Sequence, residues 1–343
     1  MAEKFVCVRI QSMNGVNLNQ FQFEYDLTWM AFFQSPAGRT YLRYGGREDH
    51  DAETHLTKAS LLRSMRQTLA LHAKGAVQPA NRYEPIATSV RTPEDIPPMR
   101  AMMKNRKVSC IHCHDVKVAQ LRHARDQGLL RKDMVFTYPS PSNLGIQLDS
   151  DEQTLVKSVE DNSPAAVAGI RNGDVVLKVN RQRVLTFADF ARVLELAPRT
   201  GTVVELAIAR NGRPLADIKK IRLAADWRNT RDPSWRASGG VVGPNAGLWG
   251  VPENAAQRRK AGLGPEDLAI KVTFIHKPWS RSAGIRLKDV IVSIDGQTQH
   301  MTTRQLQSYL HQNTNWGDTI ELVILRNGKR QTINMTFPNK PPN

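Results

Sequence analysis

At the N-terminus, apolar and polar residues alternate in short runs before giving way to a helical rhythm. Phe5 to Ile10 and Leu27 to Phe33 are β-rich, Pro36-Ala37-Gly38-Arg39 is a turn, and Thr40 to Tyr44 completes a hairpin ending at Gly45-Gly46. From about Thr57 to Leu71 the period changes, and Leu61, Leu62, Met65, Leu69 and Leu71 share one broad face of a predicted helix. Periodicity then fades over residues 76–100, where Pro79, Pro85, Pro93, Pro97 and Pro98 accumulate in the manner of a semi-rigid linker. A further helix is expected over Asp115 to Leu130, with Val118 and Leu121 on one side and Gly128 near its end.

The second half of the chain repeats itself. Ala168-Gly169-Ile170-Arg171-Asn172-Gly173-Asp174-Val175-Val176 returns as Ala283-Gly284-Ile285-Arg286-Leu287-Lys288-Asp289-Val290-Ile291, and Arg210-Asn211-Gly212 returns as Arg326-Asn327-Gly328. A repeat of this length is a duplicated domain and not a solenoid unit. In the first copy Leu144-Gly145-Ile146-Gln147-Leu148 and Thr154 to Val159 read as strands. Ser163-Pro164 opens a short helix, and Thr186 with Asp189 three positions later opens an amphipathic one. The second copy runs from Gly247-Leu248-Trp249-Gly250 through Ala269 to Ile275, a turn at Gly284, a helix begun near Thr302, and strands to Phe337. Lys288 stands where the first copy has Gly173, which predicts a looser turn.

This order of elements resembles that of circularly permuted bacterial PDZ domains, and the resemblance implies peptide binding. A strand edge beside a helix accepts an extended peptide as an added strand, and the loop before that strand captures a terminal carboxylate with its N–H groups. The resemblance assigns Leu144, Gly145 and Ile146 to the first carboxylate loop and Phe190, Val193 and Leu194 to its pocket. In the second copy it assigns Gly247, Leu248, Trp249 and Gly250 to the loop and Leu306, Tyr309 and Leu310 to the groove. The expected partners are the C-termini of peptides or proteins.

Two of the chain's three cysteines fall in Cys110-Ile111-His112-Cys113-His114. C-x-x-C-H is the attachment pattern of haem c: both thiols add to the vinyl groups of one haem, and the histidine ligates the iron. On that reading Cys110, Cys113 and His114 bind the cofactor, with His114 proximal to the iron and Met134 a distal candidate beside Met102, Met103 and His123. Zinc held by Cys110 and Cys113 with two of His112, His114 and His123 is an alternative, as is a redox dithiol. Cys7, inside a predicted strand, reads as a small buried hydrophobe.

The 343 residues suffice for several modest domains, and the formal charge of +16 makes acidic partners plausible. Because the basic residues are dispersed and no nucleic-acid motif occurs, nucleic acid is not an expected partner. No stretch approaches the roughly 20 apolar residues of a membrane span. Met1-Ala2-Glu3-Lys4 runs straight into Phe5-Val6-Cys7, without a signal peptide. Ser238-Gly239-Gly240 superficially matches the end of a serine-protease nucleophile motif. A triad needs a base and an orienting acid on a preorganised scaffold, so the chain is expected not to be a hydrolase.

The whole chain also resembles bacterial thioredoxin/PDZ proteins, some of them selenoproteins. The resemblance rests on Phe5-Val6-Cys7-Val8-Arg9, Met13-Asn14-Gly15-Val16, Arg43-Tyr44-Gly45, Thr92-Pro93-Glu94-Asp95-Ile96-Pro97, the Cys110 to His114 motif and Ser234-Trp235-Arg236. It implies an exported redox or electron-transfer protein with peptide-binding domains, whose upstream thioredoxin sequence and signal peptide are absent here. The expected fold is α+β and multidomain. Residues 1–75 form a partial thioredoxin-like domain lacking its first strand and active-site helix, 76–100 a linker, and 101–138 a C-x-x-C-H helical segment. Residues 139–226 and 244–338 form the two PDZ-like copies, joined by 227–243. The expected function is peptide binding combined with one covalent haem c for electron transfer or redox sensing. A haem-free scaffold is the alternative.

Overall fold

A computed structural model of the chain describes residues 1–75, 89–104, 106 and 110–341, so most of the predicted linker, Pro79 and Pro85 included, lies outside the described residues. The chain divides into two units: residues 1–123 with 136–232, and residues 124–135 with 233–343. Among the described residues no helix is long and apolar enough to cross a membrane.

The first unit begins with an antiparallel hairpin, β1 (Met30–Gln34) and β2 (Thr40–Gly45), followed by α1 (Lys58–Ala73), α2 (Pro97–Lys104) and α3 (Cys113–Asp126). The predicted strand from Phe5 to Ile10 does not form. Val6 and Val8 are 94% and 80% exposed, and Cys7 is exposed, not buried. β1 and β2 pair only with each other, and the Phe5 segment meets β1 through a side chain, Phe5 lying edge-on to Phe33 with ring centroids 5.8 Å apart. The thioredoxin-like reading is corrected accordingly: a two-stranded ribbon is not the central sheet of that fold. An edge-to-face aromatic cluster of Phe21, Phe23, Tyr25 and Phe32 supplies much of the core here, with Ile96, Met99, Ile111 and Val116. Helix α1 starts where expected, Thr57 capping Ser60 N. Its buried stripe is Ser60, Ser64, Met65 and Thr68, not the leucines, because the Tyr44 hydroxyl lies 2.8 Å from Ser60 Oγ.

The first repeat completes this unit. Its strands are β3 (Ile146–Leu148), β4 (Val156–Val159), β5 (Val175–Val179), β6 (Gln182–Arg183), β7 (Thr202–Arg210), β8 (Arg213–Pro214) and β9 (Lys219–Leu223). β3 pairs with β4, while β6, β5, β7 and β8 form a second sheet that β9 joins through β7. Between the sheets lie α4 (Pro164–Val167), capped by Ser163, and α5 (Phe187–Glu195), capped by Thr186. Leu144, Ile146, Val176, Phe190, Leu194, Leu206, Ile208 and Ile221 meet in one core.

The second unit holds one antiparallel sheet in the order β10 (Leu248–Pro252), β11 (Ile270–Ile275), β12 (Val290–Ile294), β13 (Thr319–Arg326) and β14 (Lys329–Thr336). Helices α6 (Ala255–Lys260), α7 (Pro278–Ser282) and α8 (Thr303–Asn313) complete it. Each repeat carries the same ion pair between a buried aspartate and a partly exposed arginine. Arg210 clasps Asp174 at 2.7 and 2.9 Å and also donates to Gly169 O. Arg326 does the same to Asp289 at 2.8 and 2.6 Å and to Gly284 O. Asp174 and Asp289 also accept from Arg171 N and Arg286 N, which ties the helix-to-strand turn to a distant hairpin. The predicted loosening at Lys288 does not occur. Lys288 adopts φ +73°, the left-handed conformation that Gly173 takes at +84°, at a cost of about 1 kcal/mol for a residue with a Cβ.

Candidate peptide-binding grooves

In the second repeat, Gly247 turns the chain into β10 with φ +68°. A Cβ there would lie 2.5 Å from that of Lys277, so only glycine fits. One edge of β10 pairs with β11 and the other faces α8. Along that second edge, Thr303 Oγ1 donates to Gly250 O at 2.7 Å and Gln307 Nε2 donates to Leu248 O at 2.9 Å. Gln307 Oε1 in turn accepts from Ala246 N at 2.8 Å. The Gln307 amide thus meets a loop N–H and a strand carbonyl as the last peptide unit of an added strand would. Trp249 and Phe274, paired across β10 and β11, lie 41% and 58% exposed beside the groove.

Of the residues expected in this groove, Gly247, Leu248 and Gly250 lie on the loop and edge, and Trp249 projects outward. Leu306 and Leu310 are fully buried in the domain core, with Tyr309 packed against it. Helix positions one and five, Thr303 and Gln307, face the strand instead. Ala246, not anticipated, is the loop position equivalent to Leu144. Aligning the two copies on their helix caps and on Gly145 and Gly247 would have found all three.

The first repeat has the same frame with different occupancy. Gly145 (φ +86°) leads into β3, which pairs with β4 on one edge only. Leu144, Gly145 and Ile146 lie at this loop as expected, whereas Phe190, Val193 and Leu194 all lie in the core. Phe187 and Ala191 hold the positions of Thr303 and Gln307. Every residue of α5 from Phe187 to Leu194 is buried, because the N-terminal part of the unit lies on it. Arg43 N of β2 donates to Asp189 Oδ1 at 3.0 Å, and Thr186 Oγ1 donates back to Arg43 O. The His55 ring stacks on Phe187 with centroids 3.7 Å apart. Gln153 in the β3–β4 turn donates to His55 O and accepts from Phe187 N. At the loop end, the Glu48 carboxylate accepts from the side chains of Ser140 and Ser142 and lies 3.0 Å from His55 Nε2. Burial pushes the Glu48 carboxyl up, but His55 and the two serines outweigh it and hold the group below its ordinary value. Asp189, deeply buried, is pushed up to about 6, with Arg43 and Leu185 N–H groups opposing the shift. A cavity of about 20 Å³ remains, lined by Phe23, Leu27, Met30, Arg43, Phe187 and Ala191, room for about one water. No signal in the sequence pairs Glu48 and His55 with this loop.

The Cys110 to His114 motif lies at the start of α3. Ile111 is buried in the aromatic cluster, and Cys113 packs against the same cluster. Burial pushes the Cys113 thiol up. The carboxylate of Asp115 accepts from His112 N and is clasped by Arg106 at 2.7 and 2.5 Å. Cys110 and Cys113 are free, half-buried thiols. Met134 belongs to the second unit, and among the described residues no group of three or more His, Cys, Asp or Glu could hold a metal. Ser238 sits fully buried in a short 3-10 turn of the second unit. There His311 of α8 is pushed down to about 4, mainly by burial and further by Lys132.

Against known proteins, residues 155–210 and 263–337 each match a PDZ domain model, so the chain carries two tandem PDZ domains. The chain is 27% identical over 150 residues to a protein of Halomonas elongata named "Probable periplasmic serine endoprotease DegP-like", covering 43% of this chain and 30% of that protein. It is 28% identical over 150 residues to the "Periplasmic pH-dependent serine endoprotease DegQ" of Escherichia coli, covering 43% and 29%. Among solved structures, "HtrA-type protease AlgW with decapeptide" aligns with TM-score 0.25 and 15% identity over 50% of this chain and 56% of that one. "HtrA-type protease AlgW with tripeptide" gives 0.24 and 18% over 42% and 55%. The chain spans about 30% of the length of the curated relatives it matches. These relatives correct the sequence expectations of a haem c electron-transfer protein, of kinship with thioredoxin-like selenoproteins, and of a chain that is not a hydrolase: the proteins it resembles are named serine endoproteases.

Proposed function

We propose that the chain recognises extended peptide segments and C-termini in proteolysis of the DegP and DegQ kind, in an exported compartment. The observation that carries this reading is β10: a strand with one edge facing α8, entered through a glycine-only turn and flanked by the exposed Trp249–Phe274 pair. A peptide adding to that edge takes main-chain hydrogen bonds from Leu248 and Gly250, and its terminal carboxylate meets the N–H groups at Ala246 and Gly247. Alternate side chains then reach the two aromatic rings, which favours apolar over charged ligands. The periplasmic relatives support the compartment and the proteolytic setting. Fluorescence titration with a decapeptide carrying an apolar C-terminal residue tests the reading. Binding that weakens at least tenfold when the carboxylate is amidated supports it, and equal binding of both forms refutes carboxylate capture. Incubating the chain with an unfolded protein substrate reads the proteolytic setting directly.

A further inference from the structure

The two grooves differ in what covers them, and the covering of the first is built from one continuous segment. From Gly46 to Thr57 this segment leaves Phe187, reaches Ser140 and Ser142 beside the loop, and returns to Phe187 and the β3–β4 turn. At the α5 end, a Cβ on Gly46 would lie 2.5 Å from the Phe187 ring, which is the closeness of a ligand backbone. At the loop end, the Glu48 carboxylate rests on the hydroxyls of Ser140 and Ser142, next to Leu144 and Gly145. The His55 ring lies flat on Phe187, the first residue of the groove helix, and its carbonyl is held by Gln153. Thr57 closes the far side against Asp151 of the β3–β4 turn. A carboxylate on the serines that precede the loop, a ring on the first helix position and a backbone carbonyl held by the strand turn place this segment over the groove that an added peptide would use.

We propose that Gly46–Thr57 is the resident occupant of the first PDZ groove, with Glu48 standing in for a ligand's terminal carboxylate and His55 for one of its side chains. The first domain is then closed to outside peptides until this segment leaves, and the second domain is the receptive one. This rests on the reading of the grooves as peptide sites, and it deepens that reading by naming what the first groove holds.

The segment does not pair as a strand with β3. It lies across the groove through side chains, so its hold is concentrated in Glu48 and His55. Residue-resolved hydrogen exchange on the full chain tests the proposal. In Glu48→Ala/His55→Ala, the amides of Ile146 and Leu148 are expected to exchange at least tenfold faster, while Val176 and Ile208 in the core stay protected. Should core protection fall as well, Glu48→Gln gives the same readout without loss of side-chain volume. Adding a synthetic peptide of residues 46–57 at millimolar concentration is expected to restore slow exchange at Ile146 and Leu148. Unchanged exchange in the variants, or no restoration by the peptide, overturns the proposal. Failure of the peptide-recognition reading shows elsewhere, as absence of C-terminal peptide binding at β10, and leaves this exchange result standing.

Discussion

The two PDZ domains share a backbone, an ion pair and a capped helix, yet their grooves are in opposite conditions. In the first, eight consecutive residues of α5 are buried beneath the N-terminal part of the unit, and Phe187 and Ala191 face another protein segment. In the second, only Thr303, Leu306 and Leu310 of α8 are buried, and Thr303 and Gln307 hold the strand edge with their own side chains. The difference teaches that the fold determines where a groove lies, while the side chains at two helix positions determine what it accepts. An apolar pair at positions one and five suits an apolar cover. A polar pair suits a strand edge that must stay satisfied until a peptide arrives.

The comparison can be broken first at what the domains share. Removing the buried carboxylate of the ion pair, as in Asp174→Ala or Asp289→Ala, leaves a partly exposed guanidinium without its carboxylate partner and takes the acceptor from the Arg171 or Arg286 N–H. It should lower the chemical-denaturation midpoint of the affected domain, more than any other change below. Equal losses in both domains locate their difference in the grooves; a loss in only one would show that the frames themselves differ.

Acid separates the domains next. His311 has a folded-state value of about 4 against an ordinary 6.5, so the folded second unit resists the proton. It loses stability as pH falls through that window, by about 2 kcal/mol at pH 5. Asp189, raised to about 6, has the opposite sign: the folded first unit holds this proton more tightly, and protonation between pH 6.5 and 5 adds about 1 kcal/mol. Unfolding at pH 7 and pH 5, followed by exchange in each unit, should therefore diverge. His311→Gln should flatten the second unit's slope and Asp189→Asn the first's.

Two smaller effects sharpen the picture of the second groove and its frame. Gln307→Ala removes the side chain that competes for Leu248 O and Ala246 N, and peptide affinity should rise roughly fivefold, about 1 kcal/mol. Lys288→Gly relieves a left-handed backbone and should stabilise the second unit by about 0.5 kcal/mol after the added freedom of the unfolded chain is counted.

Much of the PDZ half was legible from the sequence. The repeated Ala-Gly-Ile-Arg turn and the Arg-Asn-Gly hairpin marked the duplication, though not the ion pair that joins them, and Thr186 and Thr302 are the caps of the helices they were expected to open. Helix positions were harder to read: apolar Phe190 and Leu306 lie in the domain cores, and it is polar Thr303 and Gln307 whose side chains reach the edge of β10. The N-terminal part was the least legible. Alternation at Phe5 to Ile10 did not become a strand, its Val6 and Val8 staying exposed, and the leucines of α1 gave way to a serine stripe under Tyr44. Five residues, Cys110 to His114, suggested a cofactor. In the fold they serve as a helix start whose Ile111 and Cys113 fill a core.

The most direct measurement is residue-resolved amide exchange on the wild-type chain with and without a decapeptide bearing a free apolar C-terminus. Slowed exchange at Leu248 and Gly250, with Ile146 and Leu148 unchanged, is the predicted result. Protection at Ile146 and Leu148, or at neither strand edge, would contradict the account.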